Sequence, residues 1–243
     1  MKRLMIVLVL FSCFFMVEAQ QVKNVVHDSN AEIRQVGSFN GVTVSGAVNV
    51  YISQGSENAV AISTEGGENA KIKTEVRDGI LRISPESGTW SFWNWGSERK
   101  IKAYVTVKDL KRLEASGASK IFITDRITVS NIKIEITGAS SIKGDIAAET
   151  IKMEVSGASN GILSGTADNL NIEVTGASTF RAMDLVTNTC SAEASGASSI
   201  RVNVQKEFLL ADASGASTIH YKGSPLIRNF DSSGASSIKK DYN

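Results

Sequence analysis

The sequence predicts an all-β fold: a single-stranded parallel β-helix, a β-solenoid of stacked coils, with an irregular β cap at its N-terminal end. Three observations carry that expectation. First, a Ser/Thr-Gly-Ala-Ser tetrapeptide recurs with its glycine at Gly117, Gly138, Gly157, Gly176, Gly196, Gly215 and Gly234, at steps of 21, 19, 19, 20, 19 and 19 residues. A near-constant step of this length marks one structural turn stacked on the next. Second, the fourth position before each glycine reads Leu113, Ile134, Met153, Ile172, Ala192, Ala211 and Phe230, and the second is Ala, Ile or Val in all copies but the last, which has Ser232. The position between them is acidic throughout: Glu114, Glu135, Glu154, Glu173, Glu193, Asp212 and Asp231. Apolar-acidic-apolar is period two, a strand with carboxylates on one face and core on the other. Third, a second apolar position follows four residues after glycine, as Ile121, Ile142, Phe180, Ile200, Ile219 and Ile238, with Gly161 as the exception. Two strands and a corner in about 19 residues leave too little chain for a crossover helix.

In chain order, residues 1–19 come first. Lys2 and Arg3, the apolar run Leu4 to Val17 and the ending Val17-Glu18-Ala19 make a secretory signal peptide, with cleavage expected after Ala19. The apolar run is shorter than the roughly 20 residues of a membrane-spanning helix. A lipid-anchor reading through Leu10-Phe11-Ser12-Cys13 would put Phe14, Phe15 and Met16 where a polar tether is expected. No transmembrane span is expected in the mature chain, which is placed in the periplasm, on the outer-membrane surface or in the medium. Losing Lys2, Arg3 and Glu18 takes 26 basic residues to 24 and 25 acidic ones to 24, so the mature chain is neutral. That balance does not suggest a nucleic-acid binder. Cys13 leaves with the signal, so Cys190 can form no internal disulfide, and its inward position predicts a buried, inert thiol.

Residues 20–35 read as a polar tether or a fraying first strand. Residues 36–112 form the irregular cap or insertion region. There Ser45-Gly46-Ala47 is a degenerate first copy of the corner, 71 residues before Gly117. Apolar alternations at 42–52, 59–62, 72–76, 80–83 and 101–107, separated by Gln54-Gly55-Ser56, Glu65-Gly66-Gly67 and Asp78-Gly79, predict antiparallel hairpins. Residues 113–240 form the regular coils. At each corner Gly supplies positive φ and Ala lets successive backbones stack. The sixth position before glycine extends the inward column as Ile132, Ile151, Leu170, Cys190 and Leu209. The general hand of parallel connections favours a right-handed coil. Lys239, Lys240 and Asp241 place charge at the far end, which blunts an open edge.

The run of Glu-x-Ser-Gly-Ala-Ser motifs, preceded by Phe39-Asn40-Gly41-Val42 and by Gly79-Ile80-Leu81-Arg82-Ile83, resembles the putative auto-transporter adhesin, head GIN domain family. This is a domain of unknown function common in Bacteroidetes. The resemblance covers about residues 36–240, implies a cell-surface adhesin, and carries no catalytic residues to transfer.

Four constellations bear on chemistry. The acidic column is accompanied by Arg112, Lys133 and Lys152 in its first copies but by Asn171, Ser191, Leu210 and Asn229 later, which leaves Glu173, Glu193, Asp212 and Asp231 less compensated. Oxygen ligands in register suit a Ca²⁺ ladder, and the alternative is a solvated outer face. Paired carboxylates also serve polysaccharide lyases and hydrolases, but such sites need unlike environments for the two groups, and here every coil repeats the same one. The hydroxyls flanking Gly-Ala have only His27 and His220 as potential bases, neither beside a triad partner, so corner hydrogen bonding is expected. Finally, Trp90, Phe92, Trp93 and Trp95 gather all three tryptophans in one short stretch, either exposed for sugar stacking or protein contact, or folded as a lid on the core. The resulting expectation is an exported, non-catalytic adhesin-like binding or scaffold protein with no cofactor, taking an unknown glycan or protein ligand. The alternatives are a polysaccharide-active lyase or hydrolase and a self-associating structural rod.

Overall fold

The computed structural model of the chain describes residues 28–65, 68–86 and 100–241. Its strands are β1 (Glu32–Arg34), β2 (Gly41–Val44), β3 (Val48–Gln54), β4 (Ala59–Thr64), β5 (Ile72–Arg77), β6 (Ile80–Pro85), β7 (Ile101–Val107), β8 (Arg112–Ala115) and β9 (Lys120–Ile123). They continue as β10 (Ile127–Ile136), β11 (Ser141–Val155), β12 (Asn160–Val174), β13 (Thr179–Ala194), β14 (Ser199–Ala213), β15 (Thr218–Lys222), β16 (Leu226–Ile227), β17 (Phe230–Ser232) and β18 (Ser237–Lys240). No α-helix occurs among the described residues, and none there is long and apolar enough to cross a membrane.

The coils stack as the repeat predicts, in parallel and in register. Ile134 lies over Met153, which lies over Ile172, and all three are buried. Each coil turns at its glycine, where φ is between +71° and +80°. The alanine that follows donates its N–H to the glycine carbonyl of the previous coil at 2.7–2.8 Å. Buried serines complete the corner: Ser119 Oγ donates to the carbonyls of Ser116 and Gly46, Ser198 Oγ to that of Val174, and Ser217 Oγ to that of Ala194. These hydroxyls satisfy backbone acceptors that would otherwise be orphaned in the interior.

Gly46 is a full corner. Ala118 donates to its carbonyl at 2.7 Å, β2 pairs in parallel with β8, and β3 with β9. The 71-residue gap is therefore an insertion between two stacked coils. It places β6 on the free edge of β2 and β7 on that of β3, both parallel, so they add one more layer to the stack. The expectation of antiparallel hairpins throughout this region needs correcting. β5 and β6 do form one, with Asp78 (φ 53°) and Gly79 (φ 72°) at its turn, but the Gln54-Gly55-Ser56 turn makes none. β3 is already bonded to β9 on one side and takes β7 on the other, so β4 pairs antiparallel with β7 instead. β1 then adds to β4, and together these antiparallel strands cover the N-terminal end.

Two further departures concern side chains. Leu209 does not join the inward column: it is 42% exposed, and Phe208 stands beside Cys190 fully buried. A bulge between β13 and β14 slips the register there, and a slip of one residue exchanges the inner and outer faces of a strand. The exception at Gly161 is a packing exchange. A Cβ placed there would lie 2.8 Å from the Phe180 ring and 2.9 Å from the Met153 methyl, so the larger neighbours fill the space that isoleucine occupies in other coils. Cys190 is free and buried, and burial pushes its thiol pKa well up, as an inert core residue requires.

Candidate functional site

The corner glycines form an exposed ridge, and the strands on its two sides present opposite charge. On the side before the corner, Glu114, Glu135, Glu154, Glu173, Glu193, Asp212 and Asp231 are paired coil by coil in a single column. Its first members are neutralised locally. Arg112 binds Glu114, Thr43 Oγ1 donates to Glu114 Oε2 at 2.8 Å, Lys133 binds Glu135 and reaches Glu154 at 3.5 Å, and Lys152 meets Glu154 at 3.1 Å. The hydrogen bond from Lys152, with the Lys133 charge beside it, holds the Glu154 carboxyl below its ordinary value. Glu173, Glu193, Asp212 and Asp231 have no such cation among the described residues. They line the outer surface in register, and among the described residues no group of three or more His, Cys, Asp or Glu side chains converges as a metal site.

The side after the corner carries a column that sequence reading missed. Reading through the paired strands β7, β3, β9, β11, β12, β13, β14, β15 and β18, it runs Tyr104, Tyr51, Phe122, Lys143, Ile162, Arg181, Arg201, His220 and Lys239. At about 4.8 Å per strand the eight steps span roughly 38 Å. The rings stack: Tyr51 lies 5.4 Å from Tyr104 at 20° and 5.3 Å from Phe122 at 19°. Tyr104 is covered by the N-terminal segment, with its hydroxyl donating to Asp28 Oδ2 at 2.7 Å, whereas Tyr51 and Phe122 are half-exposed. Burial and the Asp28 carboxylate raise the Tyr104 pKa. Burial opposes ionisation of Asp28, but donation from Tyr104 and Ser63 still leaves its pKa below the ordinary value. That cluster is therefore a fastening for the cap.

Beyond the rings, Lys143, Arg181, Arg201 and Lys239 are exposed and have no ion pair or hydrogen bond among the described residues. His220 meets Asp241 at 2.7 Å. Two positions earlier on the same strands and the same face lie Ser141, Asn160, Thr179, Ser199, Thr218 and Ser237, all half-buried. The signal that would have found the basic column was present, since all its members from Phe122 onward stand five residues after a corner glycine. Tyr51 keeps the same spacing from the corner at Gly46, and of the aromatic head only Tyr104 was not legible, because it enters through the insertion on β7. The third side of the coils holds a shallow trough of about 740 Å³ whose lining combines Val129, Ala148, Ala167 and Val186 with the carboxylate residues Asp109, Glu149 and Asp168. Trp90, Phe92, Trp93 and Trp95 lie outside the described residues. In the sequence they fall between β6 and β7.

A family model described as putative auto-transporter adhesin, head GIN domain matches residues 38–225. Among solved structures, the fold resembles a putative adhesin from Bacteroides fragilis NCTC 9343, with a TM-score of 0.77 and 24% identity over 87% of this chain and 96% of that one. A putative lipid binding protein from Parabacteroides distasonis ATCC 8503 gives a TM-score of 0.64 and 22% identity over 88% and 98% of the two chains. A putative adhesin from Parabacteroides merdae ATCC 43184 gives 0.67 and 13% over 87% and 95%. No curated protein matches the chain.

Proposed function

The chain belongs to the putative auto-transporter adhesin, head GIN domain family, and from that premise we propose an exported, non-catalytic adhesin-like protein that holds an extended glycan or protein ligand along its outer surface. The observation that carries this reading is the column running from Tyr51 to Lys239, an elongated strip of half-exposed rings, one aliphatic side chain and polar or cationic groups repeated at one spacing. A repeated strip suits a polymeric ligand that presents the same groups at intervals. It does not suit a reaction that needs one acid and one base in unlike surroundings. Trp90, Phe92, Trp93 and Trp95 belong to the proposed binding surface as a second aromatic element. Export rests on the signal-like residues 1–19.

The test is a glycan array probed with the wild-type chain, with Trp93→Ala and with Phe122→Ala. Binding lost in either variant supports adhesion. Turnover of a polysaccharide, abolished by Glu→Gln at one column position, overturns it in favour of the lyase or hydrolase reading. In the same preparation a Ca²⁺ titration followed by thermal melting checks Glu173, Glu193, Asp212 and Asp231: a raised Tm assigns them a cation, and an unchanged Tm leaves a solvated face.

A further inference from the structure

We infer that the cationic stretch of this column, Lys143 to Lys239, is a binding stripe for an extended anionic polysaccharide, one carrying a carboxylate or sulfate on successive or alternate sugars. The inference rests on the adhesin reading above and specifies its ligand.

The first observation is a contrast between this column and the cations beside the acidic column and on the remaining side of the coils. Arg112, Lys133 and Lys152 are engaged by the acidic column, Arg126 by Asp145 and Arg228 by Glu207. Lys143, Arg181, Arg201 and Lys239 have no carboxylate partner among the described residues. Arg181 pairs directly with Arg201 across adjacent strands, so two arginines stand at opposed positions with no carboxylate partner among the described residues. Like charges opposed across strands destabilise a sheet, and an anionic polymer laid along the column removes that repulsion. The carboxylates near the stripe do not perform this role. Asp145 is bonded to Arg126 and Ser164, Asp241 to His220, and Asp184 stands three residues beyond Arg181.

The second observation selects the kind of anion. The stripe is one residue wide, and beside it on the same face runs a line of hydroxyls and amides, including Thr179, Ser199 and Thr218, suited to sugar hydroxyls. Ile162, 37% exposed between Lys143 and Arg181, offers an apolar contact to a sugar face, and Phe122 and Tyr51 continue the line as a stacking platform. Arginine adds bidentate geometry for carboxylate or sulfate. Across the glycine ridge, the acidic column repels any polyanion thick enough to cover both sides, which disfavours a nucleic-acid duplex or an anionic membrane. A narrow polysaccharide chain meets only the cationic side.

The test measures binding of the whole chain to three length-matched probes, a heparin-derived oligosaccharide, an oligogalacturonate and a neutral cello-oligosaccharide, at about 50 and 300 mM NaCl. Expected are binding of at least one anionic probe, weakening at the higher salt, and at least a tenfold loss in Arg181→Glu/Arg201→Glu. The charge-matched control Lys108→Glu/Lys206→Glu, away from the column, should keep the wild-type affinity. Both arginines are exposed and have no ion pair among the described residues, so the variant should melt at the wild-type temperature. Equal loss in the control, or no loss in the arginine variant, overturns the stripe. Neutral probes binding as tightly as anionic ones overturn the ligand class while leaving the adhesin reading intact. Absence of binding to any probe, on the array or in solution, overturns both. Should no probe bind while the wild type self-associates at low salt and the arginine variant stays monomeric, the occupant is the acidic column of a second copy and the polysaccharide assignment fails.

Discussion

At Gly157 the backbone takes φ +80°, and a Cβ there would stand 2.5 Å from the carbonyl oxygen of Gly138. That oxygen accepts the Ala158 N–H at 2.8 Å, so it cannot retreat without breaking the corner bond. Two costs combine in any side chain at this point, left-handed strain and collision with an anchored backbone atom. Gly157→Ala should therefore destabilise the protein by about 2–4 kcal/mol in urea unfolding. Gly37→Ala provides the contrast, since a Cβ at Gly37 meets nothing within 4 Å, and its effect should stay within about 0.5 kcal/mol. Similar losses in the two variants would show that corner stacking does not govern the requirement for glycine. The Ala and Ser that follow each glycine obey the same geometry, one passing the coil-to-coil hydrogen bond and the other closing the interior around backbone carbonyls.

Among the elements, β14 is where period-two reading and structure part company. Counting back from Gly215 puts Leu209 in the core, yet the shifted pairing with β13 buries Phe208 and turns Leu209 outward. Phe208 meets Tyr221 and Phe230 edge-on at 5.6 and 5.1 Å, so it anchors the last coils. Phe208→Ala should cost about 3–5 kcal/mol, as for a fully buried aromatic, and Leu209→Ala no more than about 0.5 kcal/mol. The reverse order in denaturant titration would restore the unbulged register. The columns within two or four residues of a corner were legible because glycine fixes their phase. Legibility faded with distance from the corner, since a bulge changes phase without changing composition. The parallel docking of β6 and β7 was hidden for another reason. Their partners β2 and β3 lie about 40 and 50 residues earlier, and the turn signals in between, such as Gln54-Gly55-Ser56, are compatible with either pairing direction. The acidic half of the surface was evident because every coil repeats it. The opposite column mixes rings, an aliphatic and cations, so its constant place five residues after the corner glycine carries no constant chemistry to draw the eye.

For the whole molecule, a stack whose coils touch only their neighbours loses stability from its ends inward. The two ends here are unlike. At the N-terminal end the outermost strands are the antiparallel β1 and β5, and the cap is fastened by Asp28 to Tyr104 and Ser63. At the other end β16, β17 and β18 bond to the preceding coil, while Phe230 and Ile238 are only half-buried and Leu226 is 57% exposed. Interior equivalents such as Met153 and Ile142 are fully enclosed. Opening should thus begin at β16–β18 and reach β11–β13 last. Native-state hydrogen exchange resolves this: amides bonded between coils in β17 and β18 should exchange at least tenfold faster than those of β12. Stopping the chain after Pro225 removes the Phe230 ring from Phe208 and Tyr221 and should move the fast-exchanging layer one coil inward, to β14 and β15, while β12 keeps its protection. Uniform rates from β8 to β18, falling together on truncation, would instead mean that the rod opens as one cooperative unit. In that case the outward columns would owe their alignment to the whole stack and not to each neighbouring pair of coils.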